Sequence, residues 1–196
     1  MALARLASAD AAVEWLVLRG AAALATDSRR VRPGDAFIAW PGHAHDARGY
    51  VADALAAGAI ACLVEFDGAA HFGFDDARIA ALAGLKAAAG PIASRFMGVP
   101  SKRLRIVACT GTNGKTSSTW WIAQALTRLG MRCGIVGTLG IGEPPPAGAA
   151  EPAMSGLVRQ GLTTPDPIAL QTALRDFVDA GVQAAALEAS SIGLAE

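Results

Sequence analysis

Apolar residues recur at helical spacing from Ala11 to Leu18, after which the pattern breaks into short runs separated by polar, glycine and proline clusters. Thr26-Asp27-Ser28-Arg29 reads as a polar loop, with Asp27 and Arg29 placed for a local ion pair, and Pro33-Gly34-Asp35 reads as a turn. Residues 36–40 form a short apolar strand ended by Pro41-Gly42. A helix over 50–57, capped by Gly58, leads to a buried strand over 59–65. Gly98-Val99-Pro100-Ser101 reads as a linker, which divides the chain into residues 1–100 and 101–196.

The second half opens with Ile106-Val107-Ala108-Cys109, an apolar strand running into a glycine loop. A helix over 115–129 follows, closed by Gly130, and then a strand over 133–137. Trp120 and Trp121 fall on that helix, where packing accounts for at least one of them. Residues 140–161, with Pro144-Pro145-Pro146, read as a mobile surface loop. Thr164 or Asp166 caps a helix over 168–180, stopped by Gly181, and a last buried strand over 182–187 ends at Glu188. Strand–helix–strand–helix–strand predicts an α/β chain with a parallel, doubly wound sheet in its second half. About three parallel strands leave apolar faces uncovered, so the pattern predicts the N-terminal part of a longer protein.

Composition narrows the function classes. The sequence is 53% hydrophobic and 17% charged, with zero net charge, which offers no footprint for nucleic acid or an anionic membrane. No signal peptide is visible. The alanine-rich run over 79–93 is interrupted by Lys86, Gly90 and Pro91, so it does not span a bilayer. Cys62, Cys109 and Cys133 are far apart and lie among apolar residues, as reduced buried thiols of a cytoplasmic protein would.

The chemistry concentrates at Thr110-Gly111-Thr112-Asn113-Gly114-Lys115-Thr116. Glycines let successive N–H groups curl toward phosphate oxygens, and the following helix adds the partial positive charge of its N-terminus. Lys115 can reach the β- and γ-phosphates, and the Thr116 hydroxyl can ligate Mg²⁺. Cys109 stands where the common GxxxxGK[ST] pattern has glycine. Glu188, at a strand end, is placed to meet the same metal, and Ser190 follows two residues on. His43 and His45 lack a second ligand pair, so contact with a ligand or plain solvation is the reading there.

Together these residues resemble the Mur ligase family of peptidoglycan assembly, most closely its tripeptide-forming MurE type. The resemblance rests on Thr26–Arg29, Pro33–Ala39 and Gly42-His43. It continues through Thr110–Thr116, Gly137-Thr138, Leu162–Asp166 and Leu187–Ser191. It implies a uridine-nucleotide-binding first domain, with Thr26, Ser28, His43, Ala44 and His45 on the UDP-sugar. It implies that Thr163, Thr164 and Ser190 contact the muramoyl-dipeptide end. Gly111, Thr112, Asn113, Gly114, Lys115, Thr116 and Ser117 would hold ATP, with Thr116 and Glu188 on Mg²⁺ and with Lys115 and Glu188 serving catalysis. The implied reaction activates a substrate carboxylate as an acyl phosphate and joins it to an amino acid, with meso-diaminopimelate expected. Downstream parts of the family's machinery would lie beyond Glu196, so this chain alone is expected not to complete ligation. A monomer without membrane insertion is expected. The alternatives are a MurF-type or folylpolyglutamate-synthase-type ligase, or a nucleotide-binding module without catalysis.

Overall fold

A computed structural model describes residues 3–42, 45–145, 157–158 and 165–190. The chain divides into two compact units, Met1–Phe96 and Met97–Glu196.

In the first unit, strands β1 (Ala4–Leu6), β2 (Leu24–Ala25), β3 (Ala36–Ala39), β4 (Ala61–Glu65) and β5 (Ile79–Leu82) form one sheet in the order β1-β5-β4-β3-β2. Every pairing is parallel. Strands β3, β4 and β5 are buried along their whole length, which is why they read as unbroken apolar runs rather than alternating ones. Helix α1 (Ala9–Leu18) starts where the Ser8 hydroxyl accepts from the Ala11 N–H. Helix α2 (Val51–Ala56) is followed by Gly58 at φ +103°, where a side chain would also press on Pro33. The alanine-rich run judged only for membrane spanning is in fact two elements, β5 and helix α3 (Leu85–Phe96). The break falls at Gly84, because the Glu65 carboxylate accepts the N–H groups of Gly84 and Leu85 and so caps α3 from another strand.

The second unit holds β6 (Arg105–Cys109), α4 (Lys115–Arg128), β7 (Cys133–Gly137), β8 (Gly140–Gly142), β9 (Leu157–Val158), α5 (Pro167–Asp179) and β10 (Ala184–Glu188). Its sheet order is β6-β10-β7-β8-β9. The chain skips a place between β6 and β7, and β10 later fills it, parallel to both neighbours. The small side chains of Ala184, Ala185 and Ala186 let helices approach both faces. Ala184 and Ala186 meet the α4 side with Cys133 and Ile135, whereas Ala185 meets the α5 side with Val136 and Phe177. Asp166 is the cap of α5, accepting from Ile168 and Ala169.

The division between the units falls just before the expected linker, part of which, Pro100–Arg103, is a 3-10 turn with Pro100 buried. One expectation is corrected here. The expected surface loop over 140–161 contributes β8 and β9, both antiparallel additions to the sheet. Thr138-Leu139 is a two-residue hairpin turn between Gly137 and Gly140, and the glycines flanking it hid that signal. Its remaining residues 146–156 and 159–161 lie outside the described set. Trp120 packs into the α4 core, while Trp121 is exposed. Among the described residues, no helix is long and apolar enough to cross a membrane.

Candidate nucleotide and metal site

β6 delivers the chain to the glycine loop at the carboxyl end of the sheet, and α4 carries it away. Gly111 and Gly114 adopt φ +134° and +81°, values that favour glycine over side-chain-bearing residues. Gly114 is also the residue before α4 and offers no side-chain cap, so the first-turn N–H groups are left to face whatever occupies the loop. Gly111, Thr112, Asn113, Gly114 and Ser117 are exposed, and Lys115 and Thr116 are half-buried. Lys115 folds back on the loop, where its Nζ donates to the Gly111 carbonyl at 2.7 Å.

The register places Glu188 opposite Cys109, at the root of the loop. Its carboxylate is only 4% exposed. Oε2 accepts from the Thr116 hydroxyl at 3.0 Å and from the Thr138 hydroxyl at 3.0 Å, and Oε1 accepts from the Thr138 N–H at 2.9 Å. Lys115 and Thr116 thus share one end of the sheet with Glu188, which lies 72 residues after Thr116 in the sequence. Ser190 lies two residues beyond Glu188 and is half-buried. In the sequence Thr138 stands out only as part of the Gly137-Thr138 motif. Its grip on Glu188 depends on the hairpin turn, which no run of apolar residues marks.

Two hard oxygen donors, Thr116 Oγ1 and Glu188 Oε2, meet beside the phosphate loop. That fits Mg²⁺, which takes few protein ligands and completes its shell with phosphate oxygens and water. Among the described residues no group of three or more His, Cys, Asp or Glu side chains is arranged to hold a metal by itself.

In the first unit, Thr26 is the residue after β2, and Ser28 opens a 3-10 turn over Ser28–Arg30. The turn after the neighbouring strand β3 is closed by a bridge between Pro41 and Asp46 and by a hydrogen bond from Gly42 N–H to the His45 carbonyl at 2.9 Å. Thr26, Ser28 and His45 thus follow the carboxyl ends of adjacent parallel strands, where open sheets bind ligands. His43, Ala44, Thr163 and Thr164, together with Leu162 and Ser191, lie outside the described residues.

The turns of this unit are held by one repeated device, in which an aspartate accepts from the arginine two residues later through both backbone and guanidinium. It occurs at Asp27/Arg29, Asp46/Arg48 and Asp76/Arg78. Each guanidinium holds its aspartate below the ordinary carboxylate range, and Asp76 falls to about 2. Arg48 differs from the others in being buried, where it also donates to the carbonyls of Glu65 and Asp67. Burial pushes the Cys62 thiol up to about 12 and Cys133 up to about 11, in keeping with inert core cysteines.

Residues 109–196 match the family described as the Mur ligase middle domain. The chain is 51% identical over 202 residues to the UDP-N-acetylmuramoyl-L-alanyl-D-glutamate–2,6-diaminopimelate ligase of Acidovorax sp. (strain JS42), covering 100% of this chain and 38% of that protein. A solved structure of a ligase of the same name superposes with a TM-score of 0.68 at 33% identity, covering 88% of this chain and 32% of that one. MurF from Acinetobacter baumannii, at 21% identity and a TM-score of 0.59, shares the fold. The chain belongs to the Mur ligase family. Within it, the chain corresponds to the N-terminal portion of the MurE-type ligases, and it spans 38% of the length of the Acidovorax relative.

Proposed function

We propose that the chain is the substrate- and ATP-binding portion of an ATP-dependent ligase that adds meso-diaminopimelate to UDP-MurNAc-L-Ala-D-Glu in the cytoplasm. The observation carrying this reading is the meeting of Thr116 with Glu188 at the mouth of the phosphate loop, in a chain whose relatives bear that ligase name.

In this reading Lys115 exchanges the Gly111 carbonyl for phosphate oxygens, and the N-terminus of α4 faces the charge of the transferring group. Bound Mg²⁺ supplies further neutralisation of the phosphoryl oxygens, with Thr116 and Glu188 holding it. A substrate carboxylate attacks the γ-phosphorus and releases ADP. The amine of the incoming amino acid then attacks the acyl phosphate and expels inorganic phosphate. Positioning accounts for most of the rate, since neither step needs a nucleophilic side chain from the protein. Thr26, Ser28, His43, Ala44 and His45 hold the uridine nucleotide in this reading, and Thr163, Thr164 and Ser190 the dipeptide end. The chain acts as a monomer.

Calorimetric titration tests the two binding functions separately. The chain should bind MgATP and UDP-MurNAc-L-Ala-D-Glu, and Lys115→Ala should weaken the first by about a hundredfold without changing the second. For catalysis, the chain is fused to the part of the Acidovorax ligase beyond its matched region. Ligation of meso-diaminopimelate by that chimera is the expected result. A soluble chimera that binds both substrates but ligates only another amino acid, or none, would sink the assignment.

A further inference from the structure

We propose that Gly137 and Thr138 are positioning residues that fix the Glu188 carboxylate in its metal-facing position before Mg²⁺ arrives. The proposal rests on the reading of Glu188 as a ligand of nucleotide-bound Mg²⁺.

Gly137 ends β7, and Leu187 on the adjacent β10 pairs with Val136, so Glu188 lies beside Gly137 on the α4 face of the sheet. A Cβ built on Gly137 would come within 2.5 Å of Glu188 Cδ and 2.6 Å of its Cγ, and closer still to Oε1. The obstacle is the body of the carboxylate rather than a flexible tip. Even a methyl group at 137 therefore expels the group from its place or pushes β7 off β10. Glycine here supplies space, and its backbone φ lies outside the left-handed region.

Thr138 supplies the orientation. Its N–H meets Oε1 at 2.9 Å and its hydroxyl meets Oε2 at 3.0 Å, so one residue grips both oxygens and sets the plane of the carboxyl group. This is possible because Thr138 lies in the hairpin turn beyond the last β7–β8 pair, Gly137 and Gly140, which leaves its N–H free of the ladder. A carboxylate held this way loses little conformational freedom when the ion binds, which favours affinity.

Gly134 provides a control on the same strand. A Cβ there would meet the Phe177 ring, 2.6 Å from Cε2, on the opposite face and away from Glu188. Gly134→Ala disturbs packing alone.

The test uses the whole 196-residue chain and a fluorescent ATP analogue, read both in EDTA and across a Mg²⁺ titration. Gly137→Ala should raise the Mg²⁺ concentration for half-maximal effect at least about tenfold, and Thr138→Val about threefold to tenfold. Thr138→Ser should restore it, and affinity in EDTA should stay within about twofold for all of these. Gly134→Ala should lower the Tm and leave the Mg²⁺ dependence alone. Unchanged Mg²⁺ dependence in Thr138→Val, which preserves the fold if Gly137→Ala does not, overturns the proposal. So does a shift in Gly134→Ala equal to that in Gly137→Ala. Glu188→Gln separates the levels. If it abolishes the Mg²⁺ effect while Thr138→Val does not, only the positioning role fails. If it leaves the effect intact, the metal reading fails and the positioning role with it.

Discussion

Each unit ends a central parallel strand in a buried carboxylate, Glu65 on β4 and Glu188 on β10, exposed by 9% and 4%. Their partners differ in kind. Glu65 accepts three backbone N–H groups, from Asp67, Gly84 and Leu85, at 2.7–3.2 Å. Those donors are fixed by the fold, so Glu65 closes a turn and caps a helix. The partners of Glu188 include two hydroxyls as well as one N–H, and hydroxyls can turn to serve an incoming ligand. Burial alone does not distinguish the two carboxylates; the rotational freedom of their partners does.

Exchanging the two charges should separate the roles most sharply. Glu65→Gln turns an amide NH₂ toward fixed N–H donors and should cost the first unit about 3 kcal/mol in urea unfolding, with ATP binding unchanged. Glu188→Gln should change stability by less than about 1 kcal/mol yet raise the Mg²⁺ requirement for nucleotide at least about tenfold. Equal stability losses in the two variants would erase the distinction. Arginine truncation is a second contrast of the same kind. Arg48→Met strips a buried guanidinium from Asp46 and two carbonyls and should cost about 3 kcal/mol. Arg29→Met removes the exposed copy of the device and should leave the urea midpoint nearly unchanged.

Acid should act on the first unit through these pairs. Asp76 titrates near 2 in the folded chain, below its ordinary value, so its stabilisation is present above about pH 4. It is lost as pH falls from there through 2. Urea midpoints taken at pH 7, 4 and 2 should drop most over the last interval, and Asp76→Asn should flatten that drop slightly. The smallest effect concerns thiols. Maleimide labelling of the native chain should modify Cys109 at the loop before buried Cys62 and Cys133, and labelling of either core cysteine first would contradict their raised pKa values.

The phosphate loop, α4, β7, α5 and β10 were legible in the sequence because glycines and caps bound strongly apolar segments. The place of Glu188 at a strand end beside the loop was legible because a carboxylate ends an apolar run that lies on the same sheet as the loop. Glu65 ends an apolar run in the same manner and drew no attention, because its meaning lies in Gly84 and Leu85, which reach it only in three dimensions. Strand β5 was hidden because alanine favours helix over strand, so Ile79–Leu82 and the α3 that follows looked like one run. β1 and β2 are three and two residues long, too short for periodicity to show. The roles of Gly137 and Thr138 were hidden for another reason: no propensity reports the space a missing side chain leaves.

The bond from Lys115 to the Gly111 carbonyl also has a thermodynamic consequence. Under the ATP-binding role proposed for Lys115, it acts as an internal competitor that an arriving phosphate must displace, and part of the enthalpy of the new ion–phosphate contact is spent on that exchange. In return the ammonium already lies across the loop and gives up little motion on capture. Nucleotide binding should therefore show a muted enthalpy and a small entropic penalty, and Lys115→Met should change the heat of binding less than it changes the free energy.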